Sequence, residues 1–339
     1  MAVDAQLIAW FERLGREFGP MPDASPASRR QRYEDITGLL AGLQPRTHVG
    51  IRNFHLALPG RTLDARLYHP GGTPALMVFF HGGGWVVGSI HSHDQLCAHI
   101  AAKSGVAILS VDYRLAPEHA FPAQNDDAYA AVVWAAAHGD ELACDVKRLA
   151  VGGDSAGAHM AAVTALHARD RLGPAIQFQW LLYPTVEPES GLPSMSEFAA
   201  GPGLTLDDMR WFWAQLGTDL KAPGYGIAPS RAASFANLPA AYVLTAEADL
   251  LRDEGERLAM LLAQAGNSVV KKRGAGMTHG FARLFPICGM ADTLTSEAAS
   301  ILGAALARVD GRAGDRVDST AGNGTHNTAD SATDKKAHA

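Results

Sequence analysis

Cysteine is scarce: the 339-residue chain holds 3, Cys97, Cys144 and Cys288. So small and odd a set builds no disulfide framework and suits a reducing compartment. An excess of basic charge is missing too. Lys and Arg number 29 against 35 Asp and Glu, a formal net charge of -6, which leaves no basic footprint for nucleic acid. The longest basic run, Lys271-Lys272-Arg273, reads as a solvated strand end. No apolar run approaches the roughly 18–20 residues that span a bilayer. The first residues carry an early acid, Asp4, and no basic stretch leading into an apolar one, so no secretion signal is expected. These absences predict a soluble cytoplasmic protein with no stable membrane insertion. Phosphate cradles are absent as well: there is no Gly-Lys-Ser/Thr and no Gly-x-Gly-x-x-Gly.

What is present is a chain 47% hydrophobic and 19% charged, enough for one large α/β domain with appendages or for two domains. Leu7, Ile8, Phe11, Leu14 and Phe18 fall at helical spacing and predict an amphipathic helix over 4–19. Tyr33, Ile36, Leu39 and Leu40 predict a second over 27–43. Both precede any strand signal, so they read either as an added cap or as helices packed on a sheet face. Alternation over Ile51–Leu58 and Thr62–Tyr68, around Pro59-Gly60, predicts an antiparallel hairpin. A continuous apolar run predicts a buried strand at Ala75–Phe80, and further strands are expected at Val106–Val111, the short apolar stretch leading into Ser155, Ile176–Leu182, Ala241–Ala246 and Ser268–Lys272. Helices are expected between them at 92–103, 124–138, 156–171 and 253–265, with a last one over 292–308. Strand–helix alternation implies parallel pairing. Pro188, Gly191, Pro193, Gly201, Pro202 and Gly203 break that rhythm over 185–204, before a helix at 205–216, and mark a candidate lid. Residues 311–339 have almost nothing apolar and are expected to be disordered.

The chemistry centres on Gly153-Asp154-Ser155-Ala156-Gly157. A strand runs into it and an Ala-rich helix leaves it, which places a serine on a sharp turn at the end of a sheet. The plainer reading is a glycine turn with a capping serine. Downstream, Asp249 follows a strand and His279 sits in a glycine-flanked loop. Serine, aspartate, histidine is the chain order of an α/β-hydrolase. A serine hydroxyl is a weak nucleophile, so it needs an imidazole to take its proton and a carboxylate to orient that imidazole. His99, His138, His159 and His167 lie within helices and read as packing or surface residues. His91, His93 and Asp94 could be drawn as a metal cluster, but no HExxH accompanies them. Glu247, Asp253 and Glu254 compete with Asp249 for the acid. Asp253 and Glu254 open a helix, where the dipole alone explains a carboxylate. His81-Gly82-Gly83-Gly84 follows a buried strand and could aim backbone N–H groups at an oxyanion.

Together these segments resemble the bacterial hormone-sensitive-lipase-like family of carboxylesterases. The matching stretches are His81–Trp85, Asp112–Ala123, Gly153–Gly157, Asp249–Gly255 and His279-Gly280-Phe281. The resemblance implies an α/β-hydrolase fold: α/β, with an eight-stranded, mostly parallel sheet and a helical cap. It implies N-terminal helices over 1–45 contributing to the cap, a catalytic domain over 46–310 with a cap insertion at 185–216, and a tail over 311–339. Ser155 would be the nucleophile, His279 the base, Asp249 its orienting acid, and Gly83, Gly84 and Ala156 the oxyanion hole. His81 and Tyr113–Ala123 would hold the loops around the site. Trp85, Tyr183, Trp211 and Trp213 are candidate substrate-binding residues, with cap core as the alternative for the Trp211–Trp213 cluster. The family usually has glycine at Ala158 and proline at Leu250. The implied activity is hydrolysis of short- to medium-chain acyl esters, with no metal or organic cofactor, a small-molecule ester as partner, and a homodimer paired across the last strand as one assembly. An amidase, thioesterase or lactonase would use the same residues, and a non-catalytic ligand-binding protein would share the fold.

Overall fold

Ala75–Phe80 is apolar at every position, and all six residues are buried. A strand of that kind needs covering on both faces, and the architecture follows from supplying the covers. The computed structural model describes residues 2–21, 23–43 and 48–307. The 311–339 tail lies outside the described residues.

The chain opens with helices α1 (Ala5–Phe18) and α2 (Pro26–Ala41). Asp4 and Ser25 cap them, each side chain accepting from a backbone N–H one turn in. The hairpin β1 (Gly50–Leu58) and β2 (Arg61–His69) follows, then β3 (Ala75–Phe80), α3 (Asp94–Ser104), β4 (Ala107–Val111), α4 (Ala123–Ala137) and the short α5 (Gly139–Leu142). Next come β5 (Asp145–Asp154), α6 (Ala156–Asp170), β6 (Phe178–Leu182), α7 (Pro193–Glu197) and α8 (Leu206–Gln215). The described chain closes with β7 (Ala240–Ala248), α9 (Arg252–Gln264), β8 (Val269–Thr278) and α10 (Gly289–Ala305).

The eight strands form one sheet in the order β1-β2-β4-β3-β5-β6-β7-β8. β1 with β2 and β2 with β4 are antiparallel; all later pairs are parallel. Alternating β3 residues feed two cores: Leu76, Val78 and Phe80 pack with α4, α6 and α9, while Met77 and Phe79 pack with α3 and α10. No described helix is long and apolar enough to cross a membrane.

Some boundaries move. The predicted strand Ser268–Lys272 continues to Thr278, because β7 itself runs on to Ala248 and pairs with Thr278 beyond a register shift. Gly274 and Gly276 break the apolar pattern in this extension: Gly274 still pairs with Ala246, while Gly276 lies in the register shift and donates its N–H to Glu247. Within the irregular 185–204 stretch lies one helical turn, α7, too short to show a period. The strand predicted from Ile176 starts at Phe178, and the last helix starts at Gly289.

Candidate active site

β5 ends at Asp154 and α6 begins at Ala156, so Ser155 carries the whole reversal. Its backbone lies at φ 54°, a conformation that side chains avoid and that surrounding structure must enforce. The enforcement is visible: the Ser155 N–H donates to the Leu182 carbonyl of β6 at 2.9 Å. The flanking glycines let the turn press against β3. A Cβ on Gly153 or on Gly157 would fall inside contact distance of the Phe80 carbonyl oxygen. Gly157→Ala should therefore cost more than about 3 kcal/mol, since backbone rather than a yielding side chain blocks the methyl. Thermal unfolding checks this; an unchanged Tm would show that the turn has slack.

Ser155 Oγ lies 2.8 Å from His279 Nε2, and His279 Nδ1 lies 2.8 Å from Asp249 Oδ2. The three side chains chosen from chain order thus stand in one hydrogen-bonded line. Asp249 and Ser155 are buried, and the imidazole is nearly so. Both longer strands matter here. Asp249 leaves β7 directly, and His279 leaves β8 directly, so neither hangs on a free loop. The second Asp249 oxygen accepts the Leu251 N–H at 2.9 Å, which fixes the carboxylate plane.

The rival acids are otherwise engaged. Glu247 accepts the Gly276 N–H at 2.8 Å, Asp253 accepts the Ser194 N–H at 2.8 Å and pairs with Arg252, and Glu254 accepts the buried Val186 N–H at 2.7 Å. Ser194 also donates its hydroxyl to the Leu250 carbonyl at 2.9 Å, so α7 grips the segment that presents Asp249. Burial pushes the Glu254 carboxyl up to about 8, and the neighbouring Asp249 charge adds to the rise.

Across from Ser155 runs the glycine loop that follows β3. Among the described residues, the Gly83 and Gly84 N–H groups donate to no protein acceptor. Ala156 opens α6, where a helix leaves its first N–H groups unpaired. The loop is held from behind. Asp154 accepts the Gly82 N–H at 2.8 Å, and Tyr113 donates its hydroxyl to the His81 carbonyl at 2.8 Å. His81 itself is buried and its pKa falls to about 3, mainly through desolvation with the His93 ring adding to it. Gly84 has φ 57°, and a Cβ there would enter the Phe212 ring.

A cavity of about 350 Å³ opens onto Ser155 and His279. α1 lends Trp10 and Phe11, α2 lends Tyr33 and Ile36, and α8 lends Met209 and Phe212. Of the four aromatic candidates, Trp85 lines it. Trp213 does not: it is buried against the Trp85 ring, with centroids 4.5 Å apart. Trp211 lies under the Arg29 guanidinium at 4.3 Å. Tyr183 stands edge-on to the His279 ring at 5.0 Å and is buried behind it. Three of the four therefore lie off the lining, and Phe212, between two tryptophans in sequence, is the one that faces in. One-residue steps on a helix turn by roughly 100°, so adjacent aromatics cannot share a face. Three arginines, Arg29, Arg32 and Arg283, also line the cavity. Their signal was the i, i+3 spacing of Arg29 and Arg32 on the same helix as Tyr33 and Ile36.

His91 is exposed and His93 buried, so the two do not converge. Among the described residues, no group of three or more His, Cys, Asp or Glu could hold a metal ion.

Residues 77–283 match the family model described as the alpha/beta hydrolase fold. The chain is 41% identical over 274 residues to the carboxylic ester hydrolase LipN of Mycobacterium tuberculosis, covering 78% of this chain and 73% of the relative. It is 34% identical over 307 residues to the ethyl acetate hydrolase of Pseudomonas putida, covering 86% and 96%. Among solved structures, a thermostable esterase from Pseudomonas putida superposes with a TM-score of 0.85 at 35% identity, covering 91% of this chain and 98% of that one. A hyperthermophilic esterase from the archaeon Pyrobaculum calidifontis gives 0.84 at 37%, covering 91% and 100%.

Proposed function

The chain belongs to the α/β-hydrolase fold family, among its hormone-sensitive-lipase-like carboxylesterases, and from that premise we propose that it hydrolyses short- to medium-chain acyl esters through an acyl-enzyme intermediate. The observation that carries the reading is the line Ser155–His279–Asp249, with both links at 2.8 Å, set at the floor of a largely apolar cavity. In this reading Ser155 Oγ attacks the ester carbonyl while His279 Nε2 accepts its proton. Asp249 keeps the Nδ1 proton in place and stabilises the imidazolium. The Gly83, Gly84 and Ala156 N–H groups receive the oxyanion, which costs no reorganisation because the loop is already shaped. His279 then returns the proton to the leaving alcohol. Water repeats the cycle on the acyl-serine and frees the acid.

α1, α2 and the 185–216 insertion serve as the cap, since each contributes side chains to the cavity wall while the sheet contributes the reacting groups. The cavity size supports an acyl chain of modest length.

Initial rates on p-nitrophenyl esters from acetate to palmitate test the reading. Turnover is expected to peak at a short or medium chain and to fall steeply beyond it. No turnover at any length, in a folded protein, would overturn it.

A further inference from the structure

The cavity wall is apolar except for its charges, and those do not balance. Three guanidiniums line it, Arg29, Arg32 and Arg283, against two carboxylates, Asp154 and Asp208. Asp154 is turned away to the Gly82 N–H, with the His93 ring 3.2 Å from it. Asp208 is taken by Arg29 at 2.8 Å. That leaves Arg32 and Arg283 with no carboxylate within 4 Å among the described residues. Arg283 spends its donors on the Ser92 carbonyl and the Thr37 hydroxyl, and lies over the Tyr33 ring. Arg32 donates to the carbonyls of Phe18, Gly19 and Pro20, at 3.2 to 3.4 Å, and its guanidinium lies 5.0 Å from the centre of the Phe18 ring. These carbonyls close α1, whose C-terminal end carries partial negative charge, so they stabilise the guanidinium without supplying a formal counter-charge. Arg29, one turn away on the same face of α2, keeps its Nε buried and without a partner.

An arginine is always protonated, and its planar fork matches carboxylate and phosphate oxygens. Between apolar walls the field of an uncancelled cation is screened less than in water. A neutral acyl chain gains nothing from that field. A chain ending in an anion does.

Resting on the esterase reading above, we propose that the preferred substrates are esters whose acid part carries a second, anionic oxygen group, and that Arg32 recognises it. A half-ester of a dicarboxylic acid has this chemistry, and so does an ester of a phosphono acid. The reacting carbonyl sits at Ser155, and the far anion meets the guanidinium face of α2. The reaction is otherwise unchanged: the alcohol leaves, water adds, a proton is released, and the acid departs with one more negative charge than the ester carried.

The test uses the full chain and three ethyl esters of matched length: ethyl hexanoate, monoethyl adipate and ethyl 6-phosphonohexanoate. The readout is kcat/KM for each anionic ester divided by that for ethyl hexanoate, at low and high salt. A ratio of about tenfold or more is expected at low salt, shrinking as salt rises, because hydrogen bonds to charged groups carry that much discrimination. The two anionic esters separate a carboxylate site from a phosphate site. Arg32→Gln should bring the ratio to near one, while Arg32→Lys, which loses the same carbonyl contacts but keeps the charge, should preserve most of it. A wild-type ratio at or below one overturns the proposal, and so does equal loss in the Gln and Lys variants. Failure to hydrolyse even ethyl hexanoate would instead overturn the esterase reading beneath it.

Discussion

Ser155→Ala is expected to leave a folded protein whose ester turnover has fallen by about 10⁴- to 10⁶-fold. The alanine keeps the Cβ that the strained turn already accommodates at φ 54°, so the backbone has no new reason to move. What it removes is the single atom at 2.8 Å from His279 Nε2. His279→Ala should lose a similar factor, because the hydroxyl without its base is again a weak nucleophile. The double variant should be scarcely worse than either single one, since the two side chains act as a unit. Asp249→Asn should lose on the order of 10⁴, through the wrong imidazole tautomer rather than through a missing group. Steady-state rates beside circular dichroism measure all four. Substantial turnover in folded Ser155→Ala would remove Ser155 as the nucleophile, and additive losses would mean that serine and histidine work separately.

Between about pH 6.5 and 8 the wild-type protein should lose stability, and Glu254→Gln should not. Glu254 is fully buried, and desolvation lifts its pKa to about 8, against the Val186 N–H bond that favours the ion. The folded state thus keeps a proton that an unfolded glutamate gives up near 4.5. A raised pKa of this kind stabilises below the unfolded value and loses that contribution as pH climbs through the folded one. The slope is about 1.4 kcal/mol per pH unit, so the whole interval from about 4.5 to about 8 amounts to on the order of 5 kcal/mol, of which about 2 kcal/mol falls above pH 6.5. That is a large part of a typical folding free energy. Glutamine keeps the oxygen that accepts from Val186 and has no proton to lose. Two buried histidines pull the other way in acid: desolvation lowers His81 to about 3 and His159 to about 4. Their contribution is whole above 6.5 and drains as pH falls. Two histidines outweigh one carboxyl there, so stability should peak near pH 6.5. Tm against pH for both proteins decides it; parallel curves would show that Glu254 does not carry the alkaline loss.

The sheet was legible because buried parallel strands are apolar at every position, as in Ala75–Phe80, and glycines mark where one strand leans on the next. Gly153 and Gly157 announced the turn for the physical reason the structure gives, a neighbouring carbonyl where a methyl would be. The C-terminal part of β8 was not legible, since Gly274 and Gly276 read as a break. Its pairing comes from β7, a partner outside any local window. The cavity wall was least legible. Three aromatics in a row on α8 give no phase, and only the packed helix shows Phe212 turned inward with Trp213 turned to Trp85. The role of the arginines depends on which carboxylates fail to reach them, which is a property of the whole fold.

Each link at the site joins distant parts of the chain. His279 to Asp249 spans 30 residues, Gly82 to Asp154 spans 72, and Ser155 to His279 spans 124. β3 and β5 are neighbours in the sheet though a helix-rich crossover separates them in sequence. No fragment containing one segment can therefore assemble the constellation, and no intermediate lacking the central parallel pairs can hold it. Turnover in this chain therefore reports on long-range pairing: it requires β3, β5, β6, β7 and β8 to be joined, since these strands carry every reacting group to one edge.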